Sequence, residues 1–272
     1  MKKGLTWFNV TSLVIGFSFL YIPIVILIVF SFNESKLVTV WGGWSTKWYS
    51  EMLSNEGLMN AAWVTVKVAF LSSTLATVFG TMAGMMLVRF GRFRGRTLFS
   101  GMVYAPLVMP EVITGLSLLL MFVAISFSRG FWTVSIAHIT FSLCYVAVVV
   151  QSRLITFDRS IEEAAMDLGC PPGRTFFAVT LPIIMPAIVS GWLLAFTLSL
   201  DDLVIASFTT GPGATTLPMK IYSQVRLGVT PEINAVSTIL VGLVAVGVVV
   251  ASLAMKQQER QRQRDAQLAA QA

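Results

Sequence analysis

The sequence predicts an all-α, polytopic membrane protein with six transmembrane helices, and three observations predict it. Of 272 residues, 56% are hydrophobic and only 12% are charged, about half the charged share of a soluble domain. The mean hydropathy is +0.78. Six apolar stretches each reach the roughly 20 residues that cross about 30 Å of hydrocarbon as a helix. The net charge of +6 would suit nucleic acid only as a basic face on a soluble domain, and no soluble stretch is long enough to fold into one.

Taken in order, the first predicted span runs from Val10 to Phe32, behind Met1, Lys2 and Lys3. It is too long for a signal-peptide core and no small-residue cleavage site follows, so it is expected to be retained. The others run from about Trp63 to Val88, Leu98 to Phe127, Trp132 to Ile155, Ile183 to Phe208 and Ile233 to Leu253. The third carries Pro106, Pro110 and Glu111, and a break at that depth is tolerated only where protein or a water-filled cavity satisfies the freed backbone. With both ends inside, thirteen of the nineteen Lys and Arg residues fall on the cytoplasmic side. Five fall outside and Lys67 lies within a span, an asymmetry that predicts an N-in, C-in topology. No repeat or linker divides the chain, so residues 1–272 are expected to form one transmembrane domain, with a cytoplasmic loop at 158–182.

The first outer loop, Asn33 to Ala62, carries Trp41, Trp44, Trp48 and Tyr49, read as an interfacial aromatic belt or as a contact for a soluble partner. After the fifth span, GPGATTLPMKIY predicts a turn and then a short helix started near Thr216 and Pro218. The tail from Lys256 to Ala272 offers no packing face.

The loop DRSIEEAAMDLGCPPGRTFFAVTLP, Asp158 to Pro182, is the longest run dense in charge and turn residues. A short helix is predicted with Ser160 as its cap and Glu163 reaching back in a capping box, stopped by Gly169 and by Pro171 and Pro172. Ile161, Ala164, Ala165 and Leu168 recur at helical spacing and form an apolar plug two turns long. So short a helix is marginal alone and needs a partner surface. Phe176 and Phe177 are expected to pack the loop against the transmembrane core.

No nucleophile elbow, phosphate loop or HExxH pair is present, so the chain has no nucleotide site of its own and no catalytic set. Cys144, Cys170 and the lone His138 have neither disulfide nor metal spacing, so no metal or cofactor is expected. His138 lies on an apolar span and is read first as a hydrogen-bonded structural group, with a proton relay as the alternative. The outstanding polar feature is Asp201 and Asp202 in the fifth span, where one uncompensated charge costs at least about 2.5 to 3.5 kcal/mol on insertion scales. They are either structural caps and partners for another helix or a station for a cationic solute. Glu111, beside Pro110, adds a third acid, or complements a helix dipole.

Glu163, Ala164, Ala165, three further residues, Gly169, nine further residues, then Val179, Thr180, Leu181 and Pro182 resemble the EAA motif of ABC importer permeases, with Val179 where that pattern usually has Ile. The segments SFNESKLVTVWGGWSTKWY, APLVMPEVITGLSLL and FTLSLDDLVIASFTTGPGATTLPMKIYS resemble the polyamine branch of that family, most closely the second permease of bacterial putrescine uptake systems. The resemblance implies a type I ABC importer permease fold in a bacterial inner membrane. It implies that Ile161 to Gly169 is a coupling helix docking on a cytoplasmic ATPase, with ATP and Mg held by that subunit. It implies a related second permease subunit, two ATPase copies and a periplasmic polyamine-binding protein as partners. The resulting expectation is a permease moving polyamine, foremost putrescine, by alternating access, with Asp201, Asp202 and Glu111 along the path. A permease for spermidine or another small cation is the neighbouring reading. An ion-coupled secondary transporter would account for the acids but leaves the loop motif unexplained.

Overall fold

The computed structural model describes residues 6–37, 40–228 and 230–243, with positions 245, 246, 249 and 253. The tail from Lys256 and most of the second half of the sixth predicted span lie outside them. Contacts divide the chain into two compact units, Met1–Glu56 with Ser223–Ala272, and Gly57–Tyr222.

In the first unit, α1 (Trp7–Phe30) is a 24-residue apolar helix with no buried residue. Such a helix is stable where hydrocarbon, not water, surrounds it. The chain then folds tightly around Asn33. Its carbonyl side-chain oxygen accepts the Gly42 N–H at 2.8 Å, its amide donates to the Val40 carbonyl at 2.8 Å, and its backbone oxygen accepts the Trp48 indole N–H at 2.6 Å. Of the expected aromatic belt, Trp48 on α2 (Lys47–Ser54) is therefore a buried anchor, while Trp41 and Trp44 stay exposed with ring centroids 5.0 Å apart. The belt divides because Trp48, its indole N–H held by the Asn33 carbonyl, is the one of the three tryptophans whose ring is buried among the described residues.

The second unit is built on α3 (Glu56–Arg89), α4 (Arg96–Val108), α5 (Glu111–Ala124), α6 (Phe131–Ile155), α7 (Ser160–Asp167), α8 (Pro172–Thr175), α9 (Leu181–Asp201), α10 (Val204–Thr209) and the start of α11 (Leu217–Leu227). A π-helical turn over Phe176–Thr180 joins α8 to α9, so one helical run extends from Pro172 to Asp201. The α11 helix begins beside Thr216 and Pro218, as the sequence predicts; Thr65 Oγ1 accepts its Leu217 N–H at 2.7 Å.

Helix α6 is the hub. Ala137 and Phe141 pack with Leu118 and Phe122 of α5 and Ile205 of α10; Val146, Val150 and Leu154 pack with Ile184 and Ala195 of α9; Ala147 packs with Ala83 and Leu87 of α3 and Val103 of α4. Lipid tails are as apolar as these side chains, so the helices are held by close packing rather than by escape from water. Gly80 and Gly84 permit that closeness. A Cβ on Gly80 would stand 2.7 Å from Val146 Cβ and 2.8 Å from the Leu143 carbonyl oxygen, and one on Gly84 would stand 3.0 Å from the Ala147 oxygen.

Among the described residues, four helices are long and apolar enough to cross a membrane, or five if α4 and α5 count as one broken span. A further apolar helix, α12 (Pro231–Leu243), occupies the described part of the sixth predicted stretch. The third stretch is not one rod. Its halves bend by 118° at Met109 and Pro110, because proline lacks an N–H and pushes the residue before it out of helical conformation. Pro106, by contrast, is accommodated inside α4. The third stretch thus breaks at Pro110 as expected but not at Pro106, while the fifth ends at Asp201 rather than Phe208.

Candidate functional site

The loop helix α7 forms where expected, but its cap differs. Ser160 is the first helical residue and makes no side-chain cap; instead Asp158 Oδ1 accepts the Ser160 N–H at 3.0 Å. Bonding from Ser160, first by its backbone N–H and then by its hydroxyl, holds the Asp158 carboxyl below the usual carboxylate range. At the other end Gly169 has φ +85°, the Gly169 N–H bonds the Met166 carbonyl at 2.9 Å, and the Cys170 N–H bonds the Ala165 carbonyl at 3.1 Å. That pair of reversed bonds is a Schellman stop, which requires a left-handed residue at its centre.

Among the described residues most of the apolar plug is left uncovered. Ile161 is 46% and Leu168 90% exposed; Ala164 and Glu163 are exposed and Ala165 is half-buried. Phe177 does not pack the loop against the core as expected, being 68% exposed with its ring 5.0 Å from that of Phe176. The π turn changes the register, and Thr175 and Thr180 are the residues that turn inward.

What fixes α7 to the spans is Glu162. Its Oε1 receives the Arg89 Nη2 donor at 3.0 Å and the Thr180 hydroxyl. Arg89 also lies 5.2 Å over the Phe157 ring, and Arg159 donates to the Val88 carbonyl at 3.2 Å. Two cationic side chains thereby sit at the C-terminal end of α3, where the helix dipole favours them.

The paired acids part company. Asp202 leaves the helix with an extended backbone and caps α10, its two oxygens accepting the Ile205 N–H at 3.2 Å and the Ala206 N–H at 2.7 Å. The same Oδ2 stands 3.1 Å from His138 Nε2, a close polar contact rather than an aligned hydrogen bond. His138 Nδ1 lies 2.6 Å from Ser199 Oγ, which lies 3.1 Å from Ser72 Oγ. This buried chain joins α3, α6, α9 and α10. Asp201, one residue earlier, is exposed.

Ser190, Leu194, Thr197 and Asp201 share one face of α9, all on its exposed side. The Ser190 and Thr197 hydroxyls bond back to their own helix, to the Pro186 and Leu193 carbonyls. The Asp201 carboxylate is the charged end of this stripe, and it does not belong in lipid. Glu111 is exposed in the first turn of α5. The sequence reading passed over Ser72 and Ser199, which meet His138 and Asp202 through contacts between helices that no spacing in the sequence signals. Among the described residues no group of three His, Cys, Asp or Glu side chains could hold a metal ion.

The sequence pattern of the family described as "Binding-protein-dependent transport system inner membrane component" matches residues 76–264. The chain is 57% identical over 267 residues, 96% of its length and 95% of the relative's, to the putrescine transport system permease protein PotI of Escherichia coli strain K12. It is 45% identical over 237 residues, 87% of the chain and 89% of the relative, to the spermidine/putrescine transport system permease protein PotC of the same strain. In fold it is similar to a chain of a bacterial ABC transporter that imports the acidic polysaccharide alginate, with a TM-score of 0.69 at 16% identity, covering 91% of this chain and 94% of that one. The chain therefore belongs to the family of binding-protein-dependent transport system inner membrane components, as an all-α permease subunit of type I ABC importer fold, with ATP hydrolysis left to a separate subunit.

Proposed function

We propose that the chain is one half of the membrane path of an ATP-driven importer that moves putrescine across the bacterial inner membrane. The observation that carries the choice of solute is the 57% identity to a putrescine permease along nearly the whole chain, against 45% to a spermidine/putrescine permease. In this reading residues 1–272 act as one permease domain with both ends in the cytoplasm, paired with a related second permease. A periplasmic binding protein delivers the solute, and two cytoplasmic ATPase subunits hold ATP and Mg. Ile161, Ala164, Ala165 and Leu168 dock on the ATPase beside Glu163, and Gly169 sets the helix's exit. The exposure of Ile161, Glu163, Ala164 and Leu168 on a helix too short to stand alone supports this role.

Alternating access then moves the solute. ATP closes the ATPase pair, the coupling helices follow, and the permease pair opens outward to receive the diammonium ion. Hydrolysis resets it. The ammonium groups shed water on entry and need compensating carboxylates. Asp201 and Glu111 present theirs outward from their helices, whereas both Asp202 oxygens are engaged by α10 and one also by His138, so Asp202 serves the path by fixing where α9 ends.

The test is uptake of labelled putrescine into vesicles holding the assembled transporter. Putrescine should be accumulated with ATP and outcompete spermidine, and Asp201→Asn should lower uptake with assembly intact. Preference for spermidine would move the chain to the neighbouring solute class, and uptake that persists without the ATPase would overturn the ABC reading.

A further inference from the structure

We propose that Glu162, the neighbour of the motif glutamate, is the positioning residue that transmits movement of α7 into the spans on either side; this rests on α7 being the coupling helix. Among the described residues, nothing buries the apolar face of α7: Ile161, Ala164 and Leu168 are exposed and Ala165 is only half-buried, so little of the packing that usually holds a short amphipathic helix is present. Its Schellman stop and its Asp158 turn shape it but tie it to nothing beyond its own loop. A push from below would simply rock such a helix on its connections.

Glu162 removes that freedom. A single carboxylate oxygen is held by Arg89, the last residue of α3, and by Thr180, the residue that leads into α9. The ion pair is sheltered, with the Arg89 and Glu162 side chains 14% and 17% exposed, and Thr180 is buried. A charged hydrogen bond in such surroundings is stronger and less screened than one in open water. Arg89 is kept from swinging away by the face of Phe157, itself buried. Arg159, the residue before α7, grips the same last turn of α3 through the Val88 carbonyl.

The geometry divides the labour between adjacent acids. Glu163 is exposed beside the docking face, and Glu162, about 100° round the helix, faces the membrane domain. Displacing α7 therefore pulls on the end of α3 and the beginning of α9 together. The latter is the span that carries Ser199 and Asp201, so the latch leads from the loop to the solute path. The π turn is part of the device, since it is on this turn that Thr180 reaches inward to Glu162; such turns recur at functional sites.

The experiment uses the whole transporter with its ATPase and binding protein in nanodiscs or vesicles, and reads three quantities: ATPase retained on purification, ATP hydrolysed, and putrescine moved per ATP. Glu162→Ala and, as a milder lesion, Thr180→Val should retain the ATPase and hydrolyse ATP while putrescine moved per ATP falls at least about fivefold for Glu162→Ala. The exchanged pair Glu162→Arg with Arg89→Glu should recover most of that loss. Unchanged transport per ATP in Glu162→Ala, failure of the exchanged pair to recover, or loss of the ATPase from Glu162→Ala would each overturn the latch. Leu168→Glu, on the docking face, tests the underlying reading separately: it should release the ATPase, and retention there would overturn the docking role of α7 whatever Glu162 does.

Discussion

His138 Nε2 and Asp202 Oδ2 stand 3.1 Å apart, so the chain's one histidine and one of its paired acids form a single buried unit. Through Ser199 and Ser72 that unit reaches α9 and α3, and through the Asp202 cap it reaches α10. Polar groups at this depth are costly unless satisfied, and each here offsets the cost of the next. The adjacent acids are thus unequal: Asp202 shapes the helix end, while Asp201 is exposed.

Asp202→Ala should destabilise the assembled permease by about 1 kcal/mol for the lost cap, plus about 1 to 3 kcal/mol for His138 left beside an apolar group. Asp202→Asn keeps a capping oxygen and should fall between that variant and the wild type. Asp201→Asn should change stability by no more than about 0.5 kcal/mol, as for an exposed side chain outside any network, while lowering uptake. Thermal unfolding of the purified complex, set beside vesicle uptake, checks the split; equal unfolding temperatures for Asp201→Asn and Asp202→Ala would remove the distinction.

Five of the six predicted stretches are legible as apolar runs, and the part of the sixth that the structure describes is helical. The bend at Pro110 is legible too, because proline acts through local sterics that no tertiary contact reverses. What escapes the sequence are features decided by a distant partner. The apolar run continues unbroken past Asp202 to Phe208, so hydropathy reads one helix. The break arises because the Asp202 carboxylate finds both the α10 amides and His138, 64 positions away. In the loop, spacing identifies the plug and the Gly169 stop, which are local. Spacing does not reveal that Glu162 would meet Arg89 and Thr180, nor that the π turn would leave Phe177 outside. Ser160 competes with Asp158 for the role of cap, and sequence preference alone does not separate two good capping residues.

Gly80→Leu should prevent stable assembly. Even the first carbon of a side chain would stand 2.7 Å from Val146 Cβ and 2.8 Å from the backbone oxygen of Leu143, so α3 and α6 would have to separate. Overpacking in tight interiors costs about 1 to 3 kcal/mol or more, and in a membrane no escape from water compensates the lost contacts. Gly101→Leu, at a position with nothing within 4 Å, is the control and should assemble normally. Yields of folded complex after size-exclusion chromatography read both.

The Asp158 turn should be insensitive to pH across the physiological range and open only in acid. Its carboxyl is held below the ordinary range by Ser160, so its contribution is fully present above the unfolded-state value of about 3.9 and is lost as pH falls through the lower folded value. Amide exchange over the α7 segment, corrected for the intrinsic effect of pH, should therefore rise only below about pH 4. Asp158→Asn retains the acceptor oxygen but has no titrating group, and the acid-induced rise should disappear. A rise beginning near neutrality in the wild type would place control of this helix on another group.

Substitutions at Gly169 separate two explanations of why the loop needs glycine there. If the need is room against the ATPase, damage should grow with side-chain size. If the need is the left-handed backbone, damage should follow how readily each residue adopts φ near +85°. A Cβ at this position meets nothing within 4 Å inside the chain, so the cost within the subunit is conformational, about 1 to 2 kcal/mol for an ordinary residue and less for Asn, whose short polar side chain tolerates that region. Asn is larger than Ala, and the two explanations therefore order the pair oppositely. Gly169→Asn should retain more transport per ATP than Gly169→Ala, and Gly169→Val, both branched and larger, should retain least. Better transport by the alanine variant than by the asparagine variant would show that the proposed docking surface, rather than the Schellman stop, sets the requirement.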